Sequence, residues 1–192
     1  MGIADALSLT LSPLEKDENL LRTIPYFWSD ALNYFLFGHG PMTPTLMDVV
    51  MITRLDISSP NPSTFSLTKV PYVLSSKGDI TSWGAYMGQH FKSKGSVDER
   101  EHTAFMNMWL EHFLSCSPSL APTRNYVSLA YDLAIGHSIG LGKVFLGEVY
   151  RLLHLSICGL LGGRSFAKVA PGGLSNCGLI FTFRVISPIF LL

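Results

Sequence analysis

The chain contains 192 residues, 47% of them hydrophobic and 15% charged, and its 14 basic side chains balance its 14 acidic ones. A disordered chain would be less apolar, and zero net charge gives no overall electrostatic attraction to nucleic acid or to an anionic membrane. The length fits one domain with a substantial core, and the low charge predicts a protein that associates with others.

The cysteines and histidines form no recognisable metal or disulfide pattern. Cys116, Cys158 and Cys177 are odd in number and widely spaced, which is typical of reduced thiols in the cytoplasm or nucleus. His102 and His112 lie too far apart along a helix to share a zinc ion. The sequence therefore predicts no metal site.

No segment has the features of a signal peptide or of a membrane-spanning helix. The first residues combine neither a basic start nor a long apolar run. The apolar stretch at 178–192 is interrupted by Arg184 and Pro188, and it is shorter than the ~20 residues that a spanning helix needs. We therefore expect no membrane association.

The first predicted element is a short strand at 34–37, where three aromatic residues and a leucine are consecutive. Gly38, Gly40 and Pro41 follow it, and such residues form turns. The sequence therefore predicts a small β element near the N-terminus.

A helix is predicted to begin directly after Thr45. Threonine is a favourable N-cap residue, and Asp48, three residues later, completes a capping-box pattern. Helical spacing places four residues on one side of this helix: Leu46, Val49, Val50 and Thr53.

Residues 58–82 are rich in Ser, Pro, Thr and Gly and predict a long loop with one strand at 70–74. Such long loops are uncommon inside compact domains and often bind partners. We expect this loop to form a contact surface together with uncovered helical faces.

The next predicted helices follow this loop. One covers 83–92, and another is capped by Ser96, with Glu99 at the third position of its capping box. The core face of the second helix contains Phe105, Met108, Trp109 and Phe113.

Two further helices complete the predicted fold. The first is capped by Thr123 and stops at Gly136, and the second covers 144–154. The residues of the first helix that are expected to face inward are Val127, Ala130, Leu133 and Ala134. The predicted fold class is mainly α, with a small β element near the N-terminus.

Residues 136–140 read Gly-His-Ser-Ile-Gly, which matches the G-x-S-x-G pattern of α/β-hydrolase nucleophiles. That motif needs a strand before the serine, whereas a helix is predicted before Ser138. In these enzymes an acid and then a histidine follow the serine along the chain. The candidates after Ser138 are Glu148 and His154, and both lie on the next predicted helix. We therefore expect no catalytic residue, no cofactor and no enzymatic activity.

Two blocks carry an ordered set of motif residues. The first contains Gly38, Gly40, Pro41, Met42, Pro44, Thr45, Leu46, Asp48 and Val49. The second contains Glu101, His102, Ala104, Phe105, Trp109, Leu110, Cys116, Ser117, Pro122, Thr123, Tyr126, Leu141, Gly142, Tyr150 and Arg151. With this order and spacing, the chain over about 27–173 resembles the plant mobile domain, the aminotransferase-like domain of the meristem-maintenance (MAIN-like) proteins.

The resemblance implies a nuclear plant protein that takes part in meristem maintenance, genome stability and the silencing of repeats. Relatives are carried by transposable elements, and they are fused to, or work with, long-form protein phosphatase seven homologues. The family has no established catalytic residues, and the sequence offers no lysine in a cofactor pocket and no glycine-rich phosphate cup. The expected function is a non-enzymatic interaction module with nuclear protein partners. The alternative is a transposon-derived module associated with DNA.

We expect an N-terminal extension at 1–24, a partial plant mobile domain at 25–173 and a divergent tail at 174–192. Arg54 stands where relatives usually have a helix-ending glycine. After 171–173, relatives typically continue toward Gln-Leu-Trp, which the bases encoding Ser-Asn-Cys-Gly would give in another reading frame. We hypothesise a frameshifted tail on a domain truncated at its C-terminus, and genomic sequence without a Gln-Leu-Trp frame would contradict this.

Overall fold

The computed structural model describes residues 3–10, 23–59, 69–76, 79–91, 95–114 and 121–161. Six α-helices lie in these ranges: α1 (Ile3–Thr10), α2 (Leu46–Thr53), α3 (Trp83–His90), α4 (Glu99–Trp109), α5 (Val127–Ala134) and α6 (Leu141–Leu161). A short 3-10 helix at Ile24–Phe27 and a π-helical turn at Leu110–Leu114 accompany them. The three strands of the same ranges are β1 (Trp28–Ser29), β2 (Tyr34–Phe37) and β3 (Gly40–Met42). The predicted fold class, mainly α with a small β element near the N-terminus, is confirmed.

The strands form an antiparallel sheet in the order β1-β2-β3. Phe35, at its centre, pairs with Trp28 on one side and with Met42 on the other, and its side chain is fully buried. Leu36 points to the opposite face and is 52% exposed, because side chains alternate between the faces of a strand. One face of the sheet therefore packs on the core.

The predicted start of α2 is confirmed. The Thr45 hydroxyl accepts a hydrogen bond from the backbone N–H of Asp48, and the Asp48 carboxylate accepts one from the backbone N–H of Thr45. The helix ends at Arg54, which adopts the left-handed conformation with φ 55° and ψ 18°. Glycine reaches that conformation without steric strain. Arg54 thus adopts the backbone geometry with which helices commonly end at a glycine.

The predicted cap of α4 is wrong by two positions. The N-cap is Asp98, whose carboxylate accepts the backbone N–H of Glu101, and not Ser96. A carboxylate at this position also interacts favourably with the positive end of the helix dipole, which a serine hydroxyl does less well.

The predicted strand at 70–74 is not present. Leu74 is buried, and Ser75 donates a side-chain hydrogen bond to Gln89. The hydroxyl of Tyr72 lies 2.7 Å from that of Thr103, and Arg100 donates to the carbonyl of Val73. Side chains of α3 and α4 therefore provide the contacts that a neighbouring strand would have provided.

The last helix is longer than predicted in both directions, because α6 runs over Leu141–Leu161 and not over 144–154. Leu141 and Phe145 are buried in the main core, which joins the sheet, α2, α4, α5 and α6. A second, smaller core forms around Tyr86 of α3. In the described part of the chain, no helix is long and apolar enough to cross a membrane.

Replacing Arg54 by glycine is expected to stabilise the protein. A residue with a Cβ in the left-handed conformation destabilises the fold by about 1–2 kcal/mol. Glycine removes this strain, but it loses more backbone entropy on folding, so the net gain in stability is smaller. We expect the free energy of unfolding, measured by urea denaturation, to rise by about 0.5–1 kcal/mol. Arg54→Ala is the control, because it removes the same exposed ion pair with Asp5 but keeps the Cβ. Equal stability of the two variants would show that the left-handed backbone at residue 54 is not strained by a Cβ.

Candidate functional site

Tyr150 of α6 links the loop before α2 to the long helix. Its hydroxyl donates a hydrogen bond of 2.8 Å to the carbonyl of Pro44 and lies 2.9 Å from the hydroxyl of Thr43. The Tyr150 ring also packs against Trp28, with ring centroids 5.6 Å apart. Pro44 is buried at this contact. Two predicted motif residues, distant in sequence, are therefore brought together and fix the loop.

The other motif residues of the first block shape the hairpin and the start of α2. Gly38 lies in the exposed turn between β2 and β3, and Gly40 has a φ of +137°, which side chains rarely allow. Pro41 is exposed and Met42 is half-buried on β3. The first turn of α2 and its cap contain Thr45, Leu46 and Asp48. These residues build local structure.

A buried carboxylate holds the segment that precedes α5. The backbone N–H of Thr123 donates to both oxygens of Glu111, at 2.8 and 2.9 Å, and the Thr123 hydroxyl donates at 2.9 Å. Burial raises the pKa of Glu111, and the hydrogen bonds from Thr123 oppose this shift. The predicted N-cap role of Thr123 is wrong, because the N-cap of α5 is Tyr126 and the Thr123 hydroxyl bonds to Glu111.

The surroundings of Glu111 are also buried. Trp109 is 2% exposed, and Pro122 is buried beside Thr123. The fully buried Asn107 lies near Tyr86 and Glu111 and lowers the pKa of both, although its amide makes no hydrogen bond of good geometry. Burial outweighs this effect at Tyr86 and raises the pKa of its hydroxyl to about 12. The cluster is enclosed and holds the fold together.

Glu148 connects two further motif residues, Tyr126 and Arg151. One of its carboxylate oxygens accepts a 2.8 Å hydrogen bond from the hydroxyl of Tyr126, and the other accepts a 2.6 Å bond from Nε of Arg151. Tyr126 precedes α5, whereas Arg151 and Glu148 share a face of α6. The carboxylate therefore links α5 to α6 and neutralises the arginine.

The first turn of α6 lies unusually close to the segment after α2. The backbone N–H of Gly142 donates a 2.9 Å hydrogen bond to the carbonyl of Asp56. A Cβ on Gly142 would lie 2.5 Å from Cγ2 of Ile57 and 3.2 Å from that carbonyl oxygen. The same interface includes a hydrogen bond from Nζ of Lys143 to the carbonyl of Ser59. Glycine at 142 is therefore required by close packing.

Beside this contact lies a cleft of about 590 Å³, between the end of α2 and the turn after α5. Its apolar lining includes Val50, Leu55, Leu133 and Leu141. Its polar lining includes Arg54, Asp56, Ser58, His137 and Ser138. Hydrogen bonds from Ser58 lower the pKa of Asp56, which favours its charged form. The cleft combines an apolar surface with both signs of charge.

The G-x-S-x-G segment opens onto this cleft. Ser138 follows helix α5, as predicted, and not a strand. Its hydroxyl donates to a carboxylate oxygen of Asp56 at 3.3 Å. The adjacent His137 places Nδ1 3.2 Å from Asp132. The serine and the imidazole thus belong to two separate pairs, whereas an activated serine needs the imidazole between the hydroxyl and the acid. The arrangement can bind polar groups through hydrogen bonds.

The sequence patterns did not point to Glu111 or Asp56, and Glu148 was considered only as the acid of a hydrolase triad, although each of the three joins two parts of the fold. The helical pattern gave no signal for Glu111, because only Met108 of the predicted apolar face is its neighbour on the helix. Among the described residues, no group of three or more His, Cys, Asp or Glu side chains is placed to hold a metal ion.

Two glycines of α6 allow a matched test of the close contact. We expect Gly142→Ala to lower the free energy of unfolding by about 1–3 kcal/mol, because the new Cβ meets Ile57 and the backbone. Gly147→Ala should instead raise it by about 1 kcal/mol, because space is open there and alanine favours helices. Chemical denaturation of both variants measures the difference. A neutral Gly142→Ala would show that the helix is not packed this closely.

The buried carboxylate predicts a pH-dependent difference between the wild type and Glu111→Gln. Because the folded-state pKa of Glu111 is raised, the folded state binds this proton more tightly than the unfolded state. The carboxyl therefore contributes most to stability at acid pH, and the contribution is lost as pH rises through the folded pKa. Denaturation at pH 4, 5, 6 and 7 should show the wild type losing stability relative to the variant. A constant difference would contradict the burial of Glu111.

A sequence model of the plant mobile domain matches residues 2–158 of the chain. No curated protein and no solved structure shows significant similarity to this chain. The matched range includes every predicted motif residue, from the hairpin glycines to Arg151 of α6. The chain belongs to the plant mobile domain family.

Proposed function

We propose that the chain is a non-enzymatic interaction module of the MAIN-like, aminotransferase-like type that works in the nucleus. In this proposal it binds protein partners, including a phosphatase-seven-like protein, and serves meristem maintenance and the silencing of repeats. Its membership of the plant mobile domain family supports the proposal.

The observation that carries the proposal is a pair of exposed methionines on α2. Met47 is 63% exposed and Met51 is 75% exposed. They are four residues apart and therefore lie on the same side of the helix. Methionine side chains are flexible and polarisable, and they are common on surfaces that bind protein partners. This surface, which we name the methionine face, is suited to an apolar partner.

The methionine face borders the cleft. Val50 and Arg54 of the same helix region line the cleft and each follows one of the methionines by three residues, which makes them neighbours on the surface. A partner segment could therefore bury its apolar side chains on Met47 and Met51 and place polar groups near Asp56. The motif residues, by contrast, are engaged in contacts within the fold, as for Tyr150 and Arg151.

The alternative, a DNA-associated module, has less support. Arg54, Arg124 and Arg151 each lie within 4 Å of a carboxylate, on Asp5, Asp79 and Glu148 respectively. Phosphate binding requires basic groups whose charge is available to the nucleic acid. Salt-dependent retention on immobilised DNA would favour this alternative over the protein-binding one.

The test is purification of the tagged chain from plant nuclei, followed by mass spectrometry of the bound proteins. We expect stoichiometric recovery of a phosphatase-like or chromatin protein with the wild type, and about tenfold less with a Met47→Lys, Met51→Lys double variant, because charge opposes burial of this face. Met87→Lys is the matched control, since Met87 is an exposed methionine on α3.

Three outcomes would contradict the proposal. Recovery of chaperones and proteasome components alone would indicate that no specific partner binds. Equal recovery with both variants would show that binding does not use the methionine face. Absence of the endogenous protein from nuclear fractions would contradict the proposed location.

A further inference from the structure

Three side chains near the end of α6 form a continuous hydrogen-bonded chain. Nδ1 of His154 lies 2.7 Å from a carboxylate oxygen of Asp30, which is in the turn after β1. Nε2 of the same ring lies 3.5 Å from the sulfur of Cys158. Cys158 is free and exposed. The order carboxylate, imidazole and thiol is the arrangement that activates a cysteine nucleophile.

The two contacts determine where the ring proton lies. A carboxylate accepts hydrogen bonds, so Nδ1 of His154 carries the hydrogen that Asp30 accepts. In the neutral ring, Nε2 then has its lone pair directed at the thiol of Cys158. The ring can accept the thiol proton, and the imidazolium that forms is stabilised by the carboxylate.

The opposite sides of the ring also exclude a shared metal ion. Asp30 faces Nδ1 and Cys158 faces Nε2, so the carboxylate and the thiolate cannot bind one ion together with His154. This agrees with the lack of a suitable ligand group among the described residues.

We propose that Cys158 is a site of reversible thiol–disulfide exchange with small disulfides of the glutathione type. His154 removes the thiol proton, and the sulfur of Cys158 attacks one sulfur of the disulfide. A new S–S bond forms, the original S–S bond breaks, and the leaving thiolate takes the proton from His154. Cys158 is oxidised and becomes half of a mixed disulfide, and the departing half of the small disulfide is reduced to a thiol.

The position of Cys158 favours exchange over acyl transfer. The backbone N–H groups around Cys158 belong to α6, where they bond to carbonyls four residues earlier. Acyl transfer requires free donors for a developing oxyanion. Thiol–disulfide exchange requires only a reactive sulfur and open access for the disulfide, and the exposed side chain provides that access.

The test is the rate of modification by oxidised glutathione at pH 7, followed by peptide mass spectrometry on the full chain. We expect His154→Gln to lower the rate at Cys158 by about tenfold, because the proton acceptor is lost. His137→Gln is the matched control, since His137 also pairs with an aspartate and lies far along the chain from Cys158, the one cysteine among the described residues. The rates at Cys116 and Cys177 serve as internal references in every sample.

Asp30 acts through His154 and is a positioning residue. We expect Asp30→Asn to lower the rate about threefold, by weakening the hold on the ring, and Asp30→Glu to restore part of the loss. Circular dichroism melting confirms that the variants fold. An unchanged rate at Cys158 in His154→Gln, or an equal loss in His137→Gln, would overturn the proposal. The same holds if wild-type Cys158 reacts no faster than free glutathione.

Discussion

The close approach of α6 to the segment after α2 is the constraint on which most other contacts of the described fold depend. The N–H of Gly142 reaches the carbonyl of Asp56 only because residue 142 has no side chain to meet Ile57. Because a helix rises by about 1.5 Å per residue along one axis, the position of its first turn also determines where its later residues lie. Tyr150 therefore lies under the loop at Pro44, and further along the helix His154 reaches the turn after β1. One close contact thus sets the position of the contacts that follow.

The links between elements are polar, although the core is apolar. Burying the carboxylate of Glu111 costs free energy, which its three short hydrogen bonds from Thr123 offset in part. An apolar contact of the same size would contribute as much stability, but it would accept several positions of the partner. The carboxylate allows a single position of Thr123, because both of its oxygens accept hydrogen bonds from that residue. We interpret Glu111 and Glu148 as residues that define where the segment before α5 lies against the helical turn Leu110–Leu114, which follows α4, and against α6.

The sequence predicted the fold class and the capping box of α2, because both depend on local patterns. Hydrophobic spacing recurs within a helix, and the groups of a capping box are only three residues apart. The wrong predictions of capping residues lie at positions where two local hydrogen-bonding arrangements compete. Ser96 and Asp98 can both cap a helix, and Thr123 can cap α5 or bond to Glu111. Contacts from elsewhere in the chain decide between such solutions, and a local pattern does not contain them.

The candidate sites were harder to predict than the fold for the same reason. Motif spacing identified the family, yet motif residues such as Tyr150 are seen in contacts that link elements of the fold. His154 and Cys158 are four residues apart, so helical spacing alone places them together. Asp30, however, lies 124 residues before His154 and meets it only in the folded chain. This third residue matters most, because it sets which ring nitrogen is protonated. Without it, the histidine would be as ready to donate to the sulfur as to accept its proton, and the pair would have no defined direction of proton transfer.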